Sequence, residues 1–436
     1  MPKSDVHVNQ YVDMVCGQIK AKKVHSNISK EIACHIEEQK DAYLRDGIDE
    51  ENAVKKAVAE MGDPVSVGQQ LNKLHKPISE KSIISLTLLL VAVGLFVQFL
   101  INDGNSGFSR FFIYTPIGLA ALIATFFCDY SFIGKYSKYI FGFFAVACII
   151  LYFIFGRYGN AGVYYLSLLF IPVLSGVLYG FRGHGYISVI ASVLFYVLFG
   201  FFFLSSNAPS AFLQISCAFF VLITITIFKR WYNVKRAAAF IIAYSPIFIW
   251  ISFISISGKL TQILSLRQTG TNNGYMSMWI KSLIENSKII GQGVPVNSNV
   301  LPNASTNFTL TYIIFNYGIA VGIAVIILAS LLIYRMFRAS FRQRTSLGFI
   351  VSFSATLAFT LQVILFILVN LGYDYIPVNS MPLISNNGFG IVINMVLIGL
   401  ILSAFRNTNL VFEKSIIYKK SNIRNIFNFN RKKENL

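Results

Sequence analysis

Hydrophobic and polar positions divide this chain into two parts of different character. Over the first 80 residues apolar positions recur at helical spacing among charged ones; beyond them, long uninterrupted apolar runs take over. In the polar part, Ser29 is placed to cap a helix that carries Ile32, Ile36 and Tyr43 with Leu44 on one face, and Gly47 ends it. Asp49, followed by Glu50 and Glu51, opens a further helix that runs to Gly62. Asp63-Pro64 then supplies an N-cap and an N1 proline for a fourth, which extends to His75 before Pro77 stops it. The pattern predicts a small four-helix module.

The apolar runs fall at 83–101, 111–129, 136–156, 161–181, 185–204, 209–228, 237–257, 309–334, 347–371 and 388–405. Each is long enough to cross about 30 Å of hydrocarbon. The expected fold class is therefore all-α: a polytopic membrane protein of ten transmembrane helices with a small cytoplasmic helical domain at the N-terminus. The expected boundaries are 1–80 for that domain, 81–406 for the membrane domain and 407–436 for a basic tail. Composition agrees, since 55% of residues are hydrophobic and 13% charged, against about 25% charged in a typical soluble protein.

Charge adds orientation. Residues 1–80 hold 13 of the 19 acidic residues and 11 of the 37 basic ones, so the net charge of +18 resides in the membrane part. With the N-terminus inside, 20 cations flank the inner ends of the spans and six the outer ends: Arg110, Arg157, Lys259, Arg267, Lys281 and Lys288. This asymmetry predicts cytoplasmic N- and C-termini. The tail from Lys414 to Lys433 reads as lying on anionic lipids, with an ordinary stop-transfer flank as the equal alternative. A membrane surface accounts for the positive charge, and no nucleic-acid partner is expected. The opening residues lack the pattern of a cleavable signal peptide, leaving the first span as the insertion signal. Cys16 and Cys34 lie in the polar part and Cys128, Cys148 and Cys217 in apolar runs, which is no disulfide framework.

One connection is long. Residues 258–308, on the outer side between the seventh and eighth spans, contain Gly274, Trp279, Gly291, Gly293, Pro295 and Pro302. Long loops in otherwise compact proteins are often functional. A second outer loop, Tyr373 to Asn387 with Pro377 and Pro382, is expected beside it. Acid/base chemistry has few resources: between Lys81 and Phe412 the carboxylates are Asp103, Asp129, Glu285 and Asp374. His35, Glu37 and Glu38 share a helix at spacings that do not converge on a metal, so no metal ligands are assigned. Gly176-x-x-x-Gly180 and Gly318-x-x-x-Gly322 are expected to allow close helix contact inside the bundle.

The string Gly291-Gln-Gly293, then Leu301-Pro-Asn-Ala-Ser-Thr306-Asn307-Phe308, then Phe315-Asn-Tyr-Gly318 resembles the SEDS family (FtsW/RodA/SpoVE). The family reads G-K-G, L-P-E-x-x-T-D-F and a glycine-containing helix start there. Met381-Pro382-Leu383-Ile384-Ser385-Asn386-Asn387-Gly388, followed by Asn394-Met395, is similar to its L-P-F-x-S-Y-G-G-S-S with N-M after it. Arg267 ahead of Gly274-Tyr275 looks like its R…G-Y-Q element. The likeness spans most of residues 83 to 405 and is most distinct in the last third. The amino-terminal module, through Glu37-Glu38, Tyr43-Leu44, Glu51, Ala57-Val58 and Met61-Gly62-Asp63-Pro64, is similar to the permease-prefix domain found ahead of several bacterial membrane proteins. That likeness implies a regulatory or scaffolding attachment.

The SEDS resemblance implies a peptidoglycan glycosyltransferase of the bacterial cell membrane, serving cell shape or division. Such an enzyme joins lipid II, an undecaprenyl-linked precursor, on the outer face and works with a class B penicillin-binding protein transpeptidase. Its chemistry needs a base for the attacking sugar hydroxyl and cationic assistance at the departing pyrophosphate, with a divalent cation as the one cofactor left open. The family's leading base is the aspartate of L-P-E-x-x-T-D-F, and here that position is Asn307. An amide accepts no proton, and loss of a positioned base costs about 10²–10⁴-fold in rate. The acids of the family's Q-P-S-E and Q-P-D-L-G elements are also absent, where Ile171-Pro172-Val173-Leu174 and Ala208-Pro209-Ser210-Ala211 stand.

Glu285 and Asp374 are the substitutes to weigh. The plainer reading of Glu285 is an ion pair with Lys281 at i−4 or Lys288 at i+3, and of Asp374 a solvated loop carboxylate. Arg267, Lys281 and Lys288 could hold a pyrophosphate through charge-assisted hydrogen bonds. Thr306, Pro382 and Ser385 stand at motif positions and complete the expected substrate-binding set. Three readings follow in order: a SEDS-like synthesis component that binds lipid II and polymerises it, a catalytically silent relative with a regulatory or scaffold role, and a lipid-linked precursor flippase. The last would want polar groups inside the spans, where few are expected.

Overall fold

The computed structural model describes residues 3–74, 80–102, 106–155, 161–205, 208–256, 272–294, 301–373 and 380–408. Among the described residues there are 17 helices and no strand. The chain divides into two compact units, residues 1–79 with 405–414, and residues 80–404 with 415–436.

In the first unit four helices pack together: α1 (Lys3–Gly17), α2 (Lys22–Arg45), α3 (Glu50–Glu60) and α4 (Pro64–Leu74). Their core is Tyr11, Val15, Ile19, Val24, Ile28, Ile32, Ile36 and Ala57. Fully burying an aliphatic side chain of this size contributes about 1.5–3 kcal/mol. The expected start at Ser29 is corrected: α2 begins seven residues earlier, because Val24 and Ile28 continue its buried face, and the Ser29 hydroxyl bonds within the helix to Ser26 at 3.1 Å. The two aspartate caps form as expected. Asp49 accepts from the Asn52 N–H at 3.2 Å, and Asp63 from the Ser66 N–H at 2.8 Å. Gly47 and Gly62 leave their helices at φ 84° and 79°, where glycine carries no Cβ penalty.

The second unit holds α5 (Lys81–Asn102), α6 (Ser106–Phe127), α7 (Ser131–Lys135), α8 (Ser137–Phe155), α9 (Ala161–Gly180), α10 (Tyr186–Ser205), α11 (Pro209–Phe228), α12 (Arg236–Ile256), α13 (Asn272–Glu285), α14 (Thr309–Tyr317), α15 (Ile319–Phe341), α16 (Ser346–Asn370) and α17 (Gly388–Arg406). Eight of them are long and apolar enough to cross a membrane over their described residues. Two more, α8 and α12, are apolar helices of 19 and 21 residues at the expected third and seventh positions. The ten apolar runs thus correspond to ten helices.

Burial ranks these helices. The span segments of α9 and α16 are each 78% buried and pack on one another, whereas that of α6 is 17% buried. Small polar residues let the central pair meet: Ser354 donates to Ser175 across the contact at 3.1 Å. Gly176 serves the close approach expected of it, since a Cβ there would lie 2.7 Å from the Ile133 carbonyl.

The eighth span is shifted from its expected 309–334. The helix breaks at Gly318, whose φ of 106° and ψ of 159° no residue with a side chain adopts readily, and the long helix runs Ile319–Phe341. Gly318 is therefore a break and not half of a helix-packing motif.

Candidate functional site

The motif strings separated in sequence meet in space. The segment 288–294 lies along the break between α14 and α15: Gly291 and Gly293 donate their N–H groups to Tyr317 and Phe315 at 3.0 and 2.8 Å. In return, Ile319 and Ala320 donate to Lys288 and Ile289 at 3.0 and 3.1 Å. This pairing requires bare backbone. A Cβ on Gly293 would stand 2.8 Å from the Phe315 ring, and one on Gly318 would stand 2.6 Å from the Ile289 carbonyl oxygen.

Residues 301–308 form a tight turn ahead of α14. Asn303 sits at φ 55°, a conformation asparagine tolerates better than most. Its carbonyl accepts from the N–H groups of Thr306, Asn307 and Phe308 at 3.1, 2.9 and 3.2 Å, and from the Thr306 hydroxyl at 3.3 Å. Asn307 is half-buried, and its carbonyl accepts from Asn370 Nδ2 at 3.0 Å. Among the described residues the Asn307 carboxamide has no hydrogen-bond partner.

The second loop joins this turn directly. Asn386 donates its N–H to the Ser305 carbonyl at 2.8 Å, and Ser385 shares a 3.1 Å hydrogen bond with Thr309. Ser385 is buried and also accepts the Met381 N–H at 2.9 Å, and Pro382 beside it is buried. Both hold the loop in place; neither presents its side chain to solvent. Leu383 adopts φ 66°, an uncommon conformation for a leucine. There its carbonyl closes on Gly94 of α5, where a Cβ would lie only 2.5 Å from that oxygen.

Gln98, one turn further along α5, fastens both loops. Its Nε2 donates to the Ser305 carbonyl at 2.9 Å and to the Ile384 carbonyl at 3.0 Å. Below them, Gln362 donates to Ser380 at 3.1 Å, and the Tyr165 hydroxyl also bonds Ser380. Gln214 reaches the Ala358 carbonyl at 2.8 Å. The sequence reading expected few polar groups in the spans, and this is corrected: Gln98, Gln214, Gln362, Asn370 and Asn394 are fully buried. Gln98, Gln214, Gln362 and Asn370 donate to main-chain carbonyls of other segments, which fits fixing loops and helices to one another, while Asn394 donates to Gly390 within its own helix. A signal existed for them, because an amide in an apolar run is costly unless hydrogen-bonded.

The remaining site residues scatter. Glu285 ends α13 exposed, and among the described residues it forms no ion pair with Lys281 or Lys288. Lys281 instead lies against Gly372 and has its ammonium 5.8 Å from the centre of the Tyr373 ring. Lys288 is exposed on the segment that flanks α15. Thr306 is half-buried in the turn beside Asn307. Asp374 and Arg267, with Asp103 and Arg157, lie outside the described residues. Among the described residues no group of three metal-ligating side chains assembles. The arrangement offers neutral donors and acceptors at residue 307 and cations on the segments around it.

Known proteins place the fold. In overall structure the chain is similar to a solved chain described under the structural coordination of polymerization and crosslinking by a peptidoglycan synthase complex, with a TM-score of 0.58 at 16% identity, covering 76% of this chain and 98% of that one. It is also similar to the rod shape determining protein RodA of Thermus thermophilus, at TM-score 0.51 and 13% identity, covering 76% and 97%. An aspartate-to-alanine variant of that RodA matches at TM-score 0.52 and 14% identity, covering 76% and 98%. No curated protein matches by sequence. The family model for the FtsW, RodA and SpoVE cell cycle proteins matches residues 181–410, more than half of the chain. This multi-pass membrane protein belongs to the FtsW/RodA/SpoVE family.

Proposed function

We propose that this protein is a component of bacterial peptidoglycan synthesis that binds lipid II in an outer-facing groove framed by the 258–308 and 373–387 loops. The observation that carries the reading is the joining of two family motifs, 301–308 and 381–388, through Asn386–Ser305, Ser385–Thr309 and Gln98. In this reading the charge asymmetry sets both termini in the cytoplasm and the groove outside. Lys281 and Lys288, with Arg267, engage the pyrophosphate, while Thr306, Pro382 and Ser385 shape the turn and loop that hold it. Family kinship and the fold of a neighbour described as part of a peptidoglycan synthase complex support pairing with a class B penicillin-binding protein.

A second reading rests on Asn307. Its amide is neutral, and among the described residues no carboxylate hydrogen-bonds to the turn that carries it. A chain that binds precursor without polymerising it would act as a regulatory or scaffold partner. The deciding assay is lipid II binding and polymerisation by the purified protein, wild type beside Asn307→Asp, with and without a co-expressed transpeptidase. Product only from Asn307→Asp means a preserved groove without its base; product from wild type directs the search to Glu285 and Asp374. Failure of both proteins to bind lipid II would overturn the groove assignment.

A further inference from the structure

At the end of the bundle opposite the groove, a surface cavity of about 330 Å³ is lined by Lys229, Phe341, Gln343, Arg344, Thr345, Ser346 and Phe349. It belongs to no motif above. The helix α16 separates the two ends: its 25 residues, from Ser346 to Asn370, span about 37 Å at the α-helical rise.

Two cations from different connections converge there. Lys229 closes α11, with its N–H on the Ile225 carbonyl at 2.9 Å and its ammonium 3.6 Å from the centre of the Phe349 ring. Arg344 comes from the turn between α15 and α16. No carboxylate lines the cavity. Its floor is hydrogen-bonded: Thr345 is buried, accepts the Gly348 N–H at 3.1 Å and shares a 3.0 Å hydrogen bond with the Tyr130 hydroxyl. The neighbouring Arg342 pairs with Glu80 at 3.4 Å.

The apolar wall continues into the span region. Phe341 and Phe349 join Phe353 and Phe337 in an aromatic ladder with ring centres 5.5 to 6.3 Å apart. Phe341 is 65% exposed. Cationic groups at the membrane boundary, with the exposed Phe341 and, one turn along the same helix, the half-buried Phe337 beside them, match a ligand that has an anionic head and acyl chains.

We propose that this cavity is a binding site for an anionic glycerophospholipid, with its phosphate between Lys229 and Arg344 and an acyl chain along Phe341 and Phe337. The site is separate from the lipid II groove and stands whether or not the chain polymerises. Charge-assisted hydrogen bonds hold the phosphate. Two cations with no carboxylate in the lining favour a net negative headgroup over a zwitterionic one, which brings its own cation, and the small exposed area of the ladder adds the apolar contribution.

The test is native mass spectrometry of the full-length protein with phosphatidylglycerol or phosphatidylcholine as the added probe. Wild type should retain phosphatidylglycerol in preference, and Lys229→Gln with Arg344→Gln should weaken that retention about tenfold. A charge-matched control, Lys235→Gln with Arg335→Gln, removes two cations outside the cavity and should leave the preference intact. Equal retention by wild type and the cavity variant overturns the proposal, as does an equal loss in the control. Complete displacement by millimolar inorganic phosphate would also overturn it, because a small-anion site needs no acyl chain. If the double variant fails to fold, Arg344→Gln alone carries the test: the exposed arginine is dispensable for packing, and unchanged retention refutes the site.

Discussion

Asn370, at the last position of α16, donates its side-chain N–H to the main-chain carbonyl of Asn307 at 3.0 Å. The same side chain accepts the Thr311 N–H at 3.1 Å through its carbonyl oxygen. One buried amide thus ties a helix of the buried central pair to the turn that carries the family's acid position. Replacing it with leucine strands a buried donor and a carbonyl. At about 1–3 kcal/mol for each unsatisfied group, Asn370→Leu should lose about 2 kcal/mol or more of stability, read as a lowered unfolding midpoint in detergent. An unchanged midpoint would mean that water replaces the amide and that Asn307 is held by other means.

Gln98 makes a similar prediction for the two loops. Gln98→Leu leaves the Ser305 and Ile384 carbonyls without their shared donor. Limited proteolysis should cut within 295–308 or 373–387 faster than in wild type, and lipid II binding should weaken with it. Equal cleavage rates would show that the Asn386–Ser305 and Ser385–Thr309 bonds suffice.

The two glycines of opposite surroundings separate conformational need from mere occurrence. Gly318→Ala combines a disfavoured φ of 106° with a Cβ 2.7 Å from the Ile290 Cα, a backbone atom that cannot step aside. It should cost about 2–3 kcal/mol or abolish folding. Gly142, inside α8, has nothing within 4 Å of a built Cβ, so Gly142→Ala should be neutral or stabilising by up to about 1 kcal/mol. Expression level and unfolding midpoint of the pair check the contrast; similar losses in both would refute it.

In the first unit, hydrogen bonds from the Asn52 side chain and N–H hold the Asp49 carboxyl below its ordinary pKa of 3.8. Lys55 lowers Glu51 in the same way through its hydrogen bond and charge. A depressed folded-state pKa stabilises the folded form above the unfolded pKa, and that contribution is lost as pH falls through the folded value. The start of α3 should therefore loosen as pH falls below about 4. Hydrogen exchange over residues 49–60 of the intact protein, corrected for intrinsic rates, should rise on the acid side. Asp49→Asn keeps a capping side chain without the titration and should flatten that rise. A rise of the same size in the variant would assign it to other carboxylates.

Much of the chemistry followed from residue type alone. Asn307 is neutral in any fold, and the scarcity of carboxylates beyond Lys81 constrains every mechanism before a coordinate is known. The ten apolar runs and the Asp49 and Asp63 caps were equally legible, because each depends on neighbours a few residues apart. The local signal failed at Ser29, where a good capping residue lies inside a helix whose buried face extends further back, and at Gly318, whose glycine spacing suggested packing and whose backbone makes a break.

What only the tertiary structure decided is which distant groups satisfy one another. Gln98 and Ser305 are 207 residues apart, and no periodicity links them. The cavity between Lys229 and Arg344 likewise arises because two turns on different hairpins end side by side. Hydrophobic periodicity records which face of a helix is buried but not against what. Inside a bilayer a main-chain or amide group left without a partner is costly, so pairings such as these are made by the assembled fold and not by the local chain.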